Sequence, residues 1–399
     1  MAALGGDGGT AQRQLLLTRL DPVFQAIAAA GGSAAAVGGA VRDTFLGRLT
    51  SDIDVATSLP PEAVLAAFPG AVATGVAFGT VTVAGAGFTC HITTYRSEGG
   101  YRDARHPERV AFGVSLEEDL ARRDFTMNAV ALCPDGRIVD PHGGRQDIAR
   151  GIIRAVGDPR SRLAEDALRM LRALRFESEL CFIPEPALGR AIVADAPRIS
   201  RVHAERIWPE LARLVLGPCA ERAVARGLPV LAAILPGVRA RPLSDLPGDA
   251  IIRLCRLCAG APPDQVAGRL ASMAAGKGEA KRAGRLLGYL AKPPADEPYD
   301  LRRAATTAGR EDLQALAALG GGTWAASAAI ALQEPGLFRL AISGSDIKRT
   351  GGRPAGPWVG KMFSELWDLV WQDPRRNDRE HLMEAVRTRL RTIRSDRED

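Results

Sequence analysis

GGAVRDTFLGRLTSDIDVAT, residues 38–57, is the stretch on which the fold turns. Its second half alternates Asp52, Ile53, Asp54 and Val55, the period of a strand. Two carboxylates therefore share one face and two branched apolar side chains share the other. In its first half, Gly38 and Gly39 follow the apolar run 33–37, read as a strand, and a short helix over 41–46 comes next. Glycines at a strand-to-helix turn let backbone N–H groups approach a phosphate, and Arg42 adds a cation just inside the helix. Asp52 and Asp54 can jointly bind Mg²⁺, which takes oxygen ligands and keeps water and substrate phosphates in its shell. Taken singly, the acid pair also fits a solvated turn, and the glycines fit a plain tight turn.

Working outward, residues 15–29 predict a first helix stopped by Gly31 and Gly32, and residues 60–68 a small amphipathic one. Residues 79–84 and 88–96 read as two strands, and short structure is expected over 125–132 and 137–139 around a turn at 134–136. Residues 97–107 are polar without a period and are expected to be a mobile loop, and residues 1–14 a disordered lead-in. From Asp158, which can cap a helix with Pro159 at its first position, the pattern becomes helical and stays so. The expected class is α+β: a mixed α/β head over 1–157, a helical neck over 158–235, and a helical body and tail over 236–399. Gly217-Pro218 and the stretch 235–248 are candidate junctions.

Composition narrows the function. A length of 399 residues suits two or three domains, and a net charge of +6 suits a polyanionic partner. The five lysines are all at position 277 or later, which excludes a P-loop or a protein-kinase lysine in the head, and no GxGxxG follows the first strand. The six cysteines follow nothing like a signal peptide, so no disulfide framework is expected. Cys255 and Cys258 lack two further ligands for zinc and read as helix packing. The uncharged stretch 22–41 is mostly Ala and Gly, too weakly apolar for a membrane span. A cytoplasmic enzyme with no evident need of a protein partner is the expectation.

Two further segments carry chemistry. RRDFTMNA at 122–129 by itself reads as a charged turn entering a buried segment. In EDALRMLRALRF at 165–176, Asp166, Arg169 and Arg172 step by three along a predicted helix, and Arg175 drifts round. That spacing fits an exposed salt-bridged face. It also fits a protein template, in which a carboxylate accepts from the amino group of cytosine or adenine while an arginine donates to the adjacent acceptor.

GGAVRD, DIDVAT, RRDFTMNA and EDALRMLRALRF, in this order and spacing, resemble the bacterial-type (class II) CCA-adding tRNA nucleotidyltransferases and the related poly(A) polymerases. Segments at 140–154 and 198–211 are similar to that family's connecting and neck regions, so the resemblance spans roughly residues 30–215. It implies a polymerase-β-like nucleotidyltransferase head followed by helical neck, body and tail. It implies Mg²⁺ at Asp52 and Asp54, nucleotide contacts from Gly39, Arg42 and Arg123, and base selection by Asp166 and Arg169 supported by Arg172 and Arg175. It implies CTP, ATP and the tRNA 3′ end as substrates, with poly(A) addition or partial (CC- or A-) addition as the alternative. It also makes 98–107 the loop that helps switch from C to A. One departure is His91, where the family usually carries an acid. Histidine is a poor oxygen-ligand substitute, so either the third carboxylate is dispensable, or another acid such as Glu98 substitutes, or activity is lowered, and the first is the expectation.

Overall fold

In the computed structural model the described residues are 8–75, 79–85, 87–101, 107–331, 333–334, 337, 339–352 and 354–395. The chain divides into two compact units, one of residues 1–242 with 272–275, the other of 243–271 with 276–399.

The first unit opens with α1 (Gly8–Ala29), β1 (Ala34–Val37), α2 (Gly39–Phe45), β2 (Asp52–Thr57), α3 (Pro61–Ala67), β3 (Val72–Gly75), β4 (Thr80–Gly85) and β5 (Phe88–Thr94). Next come β6 (Arg96–Tyr101), β7 (Pro107–Phe112), α4 (Leu116–Ala121), a 3₁₀ turn (Thr126–Asn128), β8 (Ala131–Leu132), β9 (Ile138–Val139), α5 (Gly144–Arg150) and β10 (Ile152–Ile153). Seven strands form one mixed sheet in the order β3-β4-β5-β2-β1-β8-β9, with β2 and β5 parallel.

The period-2 pattern of β2 sets the two faces. Ile53 and Val55 are fully buried with Leu16, Leu20, Phe24 and Ile27 of α1 and Ile92 of β5. Each such side chain stabilises the head by about 1.5–3 kcal/mol. Asp52 and Asp54, alternating with them in sequence, project from the opposite face. On that side Ala35, Val37, Ala56, Tyr95 and Leu120 form a second core.

A helical run follows: α6 (Pro159–Glu165), α7 (Leu168–Leu180), a short β11 (Ile183–Pro184) paired with β10, then α8 (Pro186–Ala194), α9 (Ala204–Leu216), α10 (Ala220–Arg226) and α11 (Leu228–Ala232). Asp158 caps α6 as predicted, its carboxylate accepting from Ser161 N at 2.8 Å.

The second unit continues with α12 (Ala250–Leu257), α13 (Pro263–Ser272), α14 (Lys277–Ala291), α15 (Pro298–Ala318), α16 (Thr323–Ala331), α17 (Gly344–Gly351), α18 (Pro357–Gln372) and α19 (Arg379–Ser395). Arg282 and Arg285 of α14 converge on the buried Asp312 of α15. Cys255 and Cys258 are free and buried, and burial pushes the Cys258 thiol up to about 12. Among the described residues no cluster of three or more His, Cys, Asp or Glu could hold a metal ion, and no helix is long and apolar enough to cross a membrane.

Four expectations are corrected. The first helix begins at Gly8, because its first turns pack on α2: a Cβ at Gly9 would lie 3.4 Å from Thr44 O. Residues 1–7 lie outside the described residues. The polar stretch after Tyr95 is not structureless, since β6 and β7 pair as an antiparallel hairpin from Arg96↔Phe112 to Tyr101↔Pro107. Main-chain bonding makes that ladder without an apolar alternation to announce it. Of the expected switching loop at 98–107, residues 102–106 and the Glu98 side chain lie outside the described residues. Third, Cys181 and Cys219 are disulfide-bonded, brought together from 38 residues apart where Cys219 N donates to Ser178 O at 3.0 Å.

The fourth correction concerns the predicted template helix, which is interrupted. Asp166 is extended (φ −146°, ψ 105°) between α6 and α7, and its carboxylate accepts from Leu168 N at 3.0 Å. A carboxylate bonding to the backbone two residues on offers the chain an alternative to continuing the helix.

Candidate active site

The sheet, α2 and α7 enclose a cleft of about 360 Å³. Its lining includes Gly38, Gly39, Arg42, Asp52, Asp54, Arg123, Arg172 and Arg175. The turn into α2 depends on Gly38, which has φ 73°; a Cβ there would stand 3.1 Å from an Arg123 nitrogen and 3.2 Å from Asp54 Oδ2. That φ strains any side chain, and the space is already taken by the two charged groups. Asp54 is pushed above the usual carboxylate range, mainly because surrounding protein desolvates it. Arg123 opposes that shift and Asp52 adds to it.

Arg123 is held at the cleft by Asp119, its Nη2 donating to Oδ2 at 3.2 Å, while its buried Nε has no hydrogen-bond partner among the described residues. A buried N–H without an acceptor costs free energy that an anionic ligand would recover. Arg42 donates from Nη1 to Asn128 Oδ1 at 2.8 Å, and Asn128 Nδ2 donates to Asp124 Oδ1 at 3.1 Å. Arg172 donates from Nε to Asp124 Oδ2 at 2.9 Å and from Nη1 to Glu210 Oε1 at 3.1 Å. Arg175 meets the other Glu210 oxygen at 2.5 Å. Burial alone would raise the Asp124 carboxyl, but Arg172 and Asn128 outweigh it and bring its pKa down to about 2. One relay thus ties the cation of α2 to those of α7 and to α9.

Asp166 and Arg169 stand outside the cleft lining. Asp166 accepts from Arg206 of α9 at 2.7 Å. Arg169 donates to Glu165 at 2.5 Å and to Arg162 O at 2.7 Å. His91, opposite Asp54 in the β2–β5 register, bonds Asp52 through Nε2 and Thr82 through Nδ1, each at 2.9 Å.

Sequence reasoning placed Gly38 at the turn but missed Asp124, Asn128, Glu210 and Arg206 as parts of this arrangement. Asp124 and Asn128 were legible as an i, i+4 pair within RRDFTMNA. Glu210 and Arg206 gave no local signal, because their partners are 35 to 40 residues away.

Comparison with known proteins agrees with this geometry. Residues 34–154 match the family described as the poly A polymerase head domain. The chain is 38% identical over 407 residues to the CCA-adding enzyme of Geobacillus stearothermophilus, covering 92% of this chain and 96% of that protein. It is 36% identical to the CCA-adding enzyme of Geobacillus kaustophilus, covering 89% and 93%. Among solved structures it resembles the Bacillus stearothermophilus CCA-adding enzyme in complex with CTP, with a TM-score of 0.72, 33% identity, and coverage of 95% and 98%. A CCA-adding enzyme in complex with ATP shares the fold at a TM-score of 0.65 and 19% identity. The chain belongs to the family of bacterial-type CCA-adding enzymes and related poly(A) polymerases.

Proposed function

We propose that this chain adds C, C and A to the 3′ end of tRNA from CTP and ATP without a nucleic-acid template, releasing pyrophosphate. The observation that carries the reading is a relationship to CCA-adding enzymes over nearly the whole chain, joined to a cleft whose acids and turn suit nucleotidyl transfer. Family membership implies divalent-metal chemistry, and Mg²⁺ at Asp52 and Asp54 is our specific assignment. Two carboxylates on one strand face, one of them held above its usual pKa by desolvation, suit a hard cation completed by water and phosphate oxygens. When bound, the metal supplies charge stabilisation to the attacking and leaving oxygens.

The residues of the chain do the rest. The tRNA 3′-oxygen loses its proton and bonds to the α-phosphorus as the bond from that phosphorus to the β-phosphate bridge breaks. Backbone N–H groups at Gly39, with Arg42 and the unpartnered Nε of Arg123, hold the triphosphate. Asp166 and Arg169 read the base edge, and Arg172 and Arg175 support them from α7. On this reading Arg206 and Glu165 hold the two base-reading groups when no base is present. The head is assigned to residues 1–157, the neck to 158–235, and the body and tail to 236–399.

The test is to incubate the purified protein and Mg²⁺ with each NTP singly and with tRNA ending before CCA, after C or after CC. Ordered addition of C, C and A with a stop supports the reading. Unlimited A addition would make it a poly(A) polymerase, and a stop after CC, or activity only on tRNA ending in CC, a partial enzyme.

A further inference from the structure

Two arginines of the head converge on one aromatic ring outside the cleft. The guanidinium carbon of Arg13, on α1, lies 4.8 Å from the ring centroid of Phe45, and that of Arg145, on α5, lies 5.8 Å from it. Neither guanidinium has a carboxylate partner among the described residues, and Asp140 Oδ2 meets Arg145 only through its backbone N–H, at 3.0 Å. The Arg13 side chain donates to Thr10 Oγ1 at 3.0 Å, its one side-chain hydrogen bond among the described residues. Burial and then the charge of Arg145 hold Arg13 below its ordinary pKa, so the two cations repel. Attraction to the ring offsets part of that cost. An oxyanion between or beside the two guanidiniums would remove it, and arginine's planar fork suits a phosphate.

The place of the pair narrows the choice of anion. Phe45 and Arg42 are three apart on α2, so they occupy neighbouring positions on one helix face. Arg42 lines the cleft, whereas Arg13, Phe45 and Arg145 do not. Helix α1 also reaches the cleft wall, where Arg19 Nη1 donates to the carbonyl of Thr50 at 3.5 Å. The ring thus stands on the helix that carries Arg42 but shares no lining residue with the cleft.

We infer that Arg13 and Arg145, stacked on Phe45, form a subsite for a backbone phosphate of the RNA strand under extension, upstream of its reacting 3′ end. The inference rests on the tRNA reading above and adds to it a contact on the head.

The experiment uses the full chain and a tRNA transcript lacking CCA. Arg13→Gln, Arg145→Gln, the double variant and the Arg→Lys pair are compared by fluorescence anisotropy across a salt series and by steady-state kinetics. The double Gln variant should bind tRNA more weakly by roughly threefold or more. Its log–log salt slope should fall by about one, the signature of one lost phosphate contact. The KM for CTP should stay unchanged, the melting temperature should not fall, and the Lys variants should keep the salt slope. An unchanged Kd and slope would overturn the subsite. So would a matching rise in the KM for CTP, or a loss of thermal stability that accounts for the weaker binding. Binding is read without turnover, and the wild-type extension assay reports separately on the tRNA reading.

Discussion

At the residue scale, the cleft gathers a few side chains whose environments differ sharply. Asp54 is desolvated by protein while Asp52 remains 74% exposed and bonded to His91, so the two acids are not equivalent before a metal binds. Asp52→Ala or Asp54→Ala should each leave tRNA affinity intact and reduce turnover to less than about a tenth, more than roughly 1.4 kcal/mol of barrier. Single-turnover kinetics beside a binding titration checks this, and retained turnover in either variant would remove the metal assignment. Asp166→Ala should relax base choice more than triphosphate binding. On the proposed reading its carboxylate would accept from the amino group of cytosine or adenine, but oppose the acceptor O4 of uracil or O6 of guanine at about 1–3 kcal/mol per unpaired group. Incorporation kinetics with all four NTPs decides the matter. Undiminished exclusion of UTP and GTP would return Asp166 to the purely structural role its bonds to Leu168 N and Arg206 describe.

At the scale of elements, α7 is tied down within its first half and at its C-terminal end. Arg172 joins it to Asp124, and the Cys181–Cys219 bond joins its C-terminal end to the start of α10. Closing a loop between residues 38 apart restricts the unfolded chain, so reduction or Cys219→Ser should cost about 2–4 kcal/mol. Thermal melts with and without a dithiol should differ by several degrees, and identical melts for oxidised wild type and Cys219→Ser would refute this.

The Asp124 contact has its own pH signature. Its folded pKa, about 2, lies below the ordinary carboxylate value, so its contribution is fully present above about pH 4 and is lost only as pH falls through about 2. Arg172 is about a third exposed and keeps Glu210, so Asp124→Asn should cost only about 1–2 kcal/mol. Denaturant unfolding should find that difference constant from about pH 7 to 4. A gap that closes between about pH 6 and 5 would count against the pairing.

At the scale of the whole molecule, an arginine-rich chain with only 5% aromatic residues suits phosphate and 2′-OH contacts better than base stacking. Affinity for tRNA should therefore fall steeply with salt and hardly vary among tRNA species. Strong discrimination between two tRNAs that differ only in the anticodon would contradict it.

Residues 38–57 and their neighbours determined the head on their own, because strand alternation and a double glycine are local properties that survive any packing. Ile53 and Val55 went inward, Asp52 and Asp54 stayed on the cleft side, and Asp158 capped its helix, all as the pattern dictates. Tertiary structure alone decided the rest. It paired β6 with β7 and joined Cys181 to Cys219, whereas the helix break at Asp166 follows from a local bond of its own carboxylate to Leu168 N. Tertiary structure also gave Arg172 and Arg175 to Glu210, and it gathered Arg13 and Arg145 over Phe45. Apart from the Asp166 break, each of these is a contact between segments distant in sequence or a main-chain pairing that needs no particular side chain. No local period records either kind.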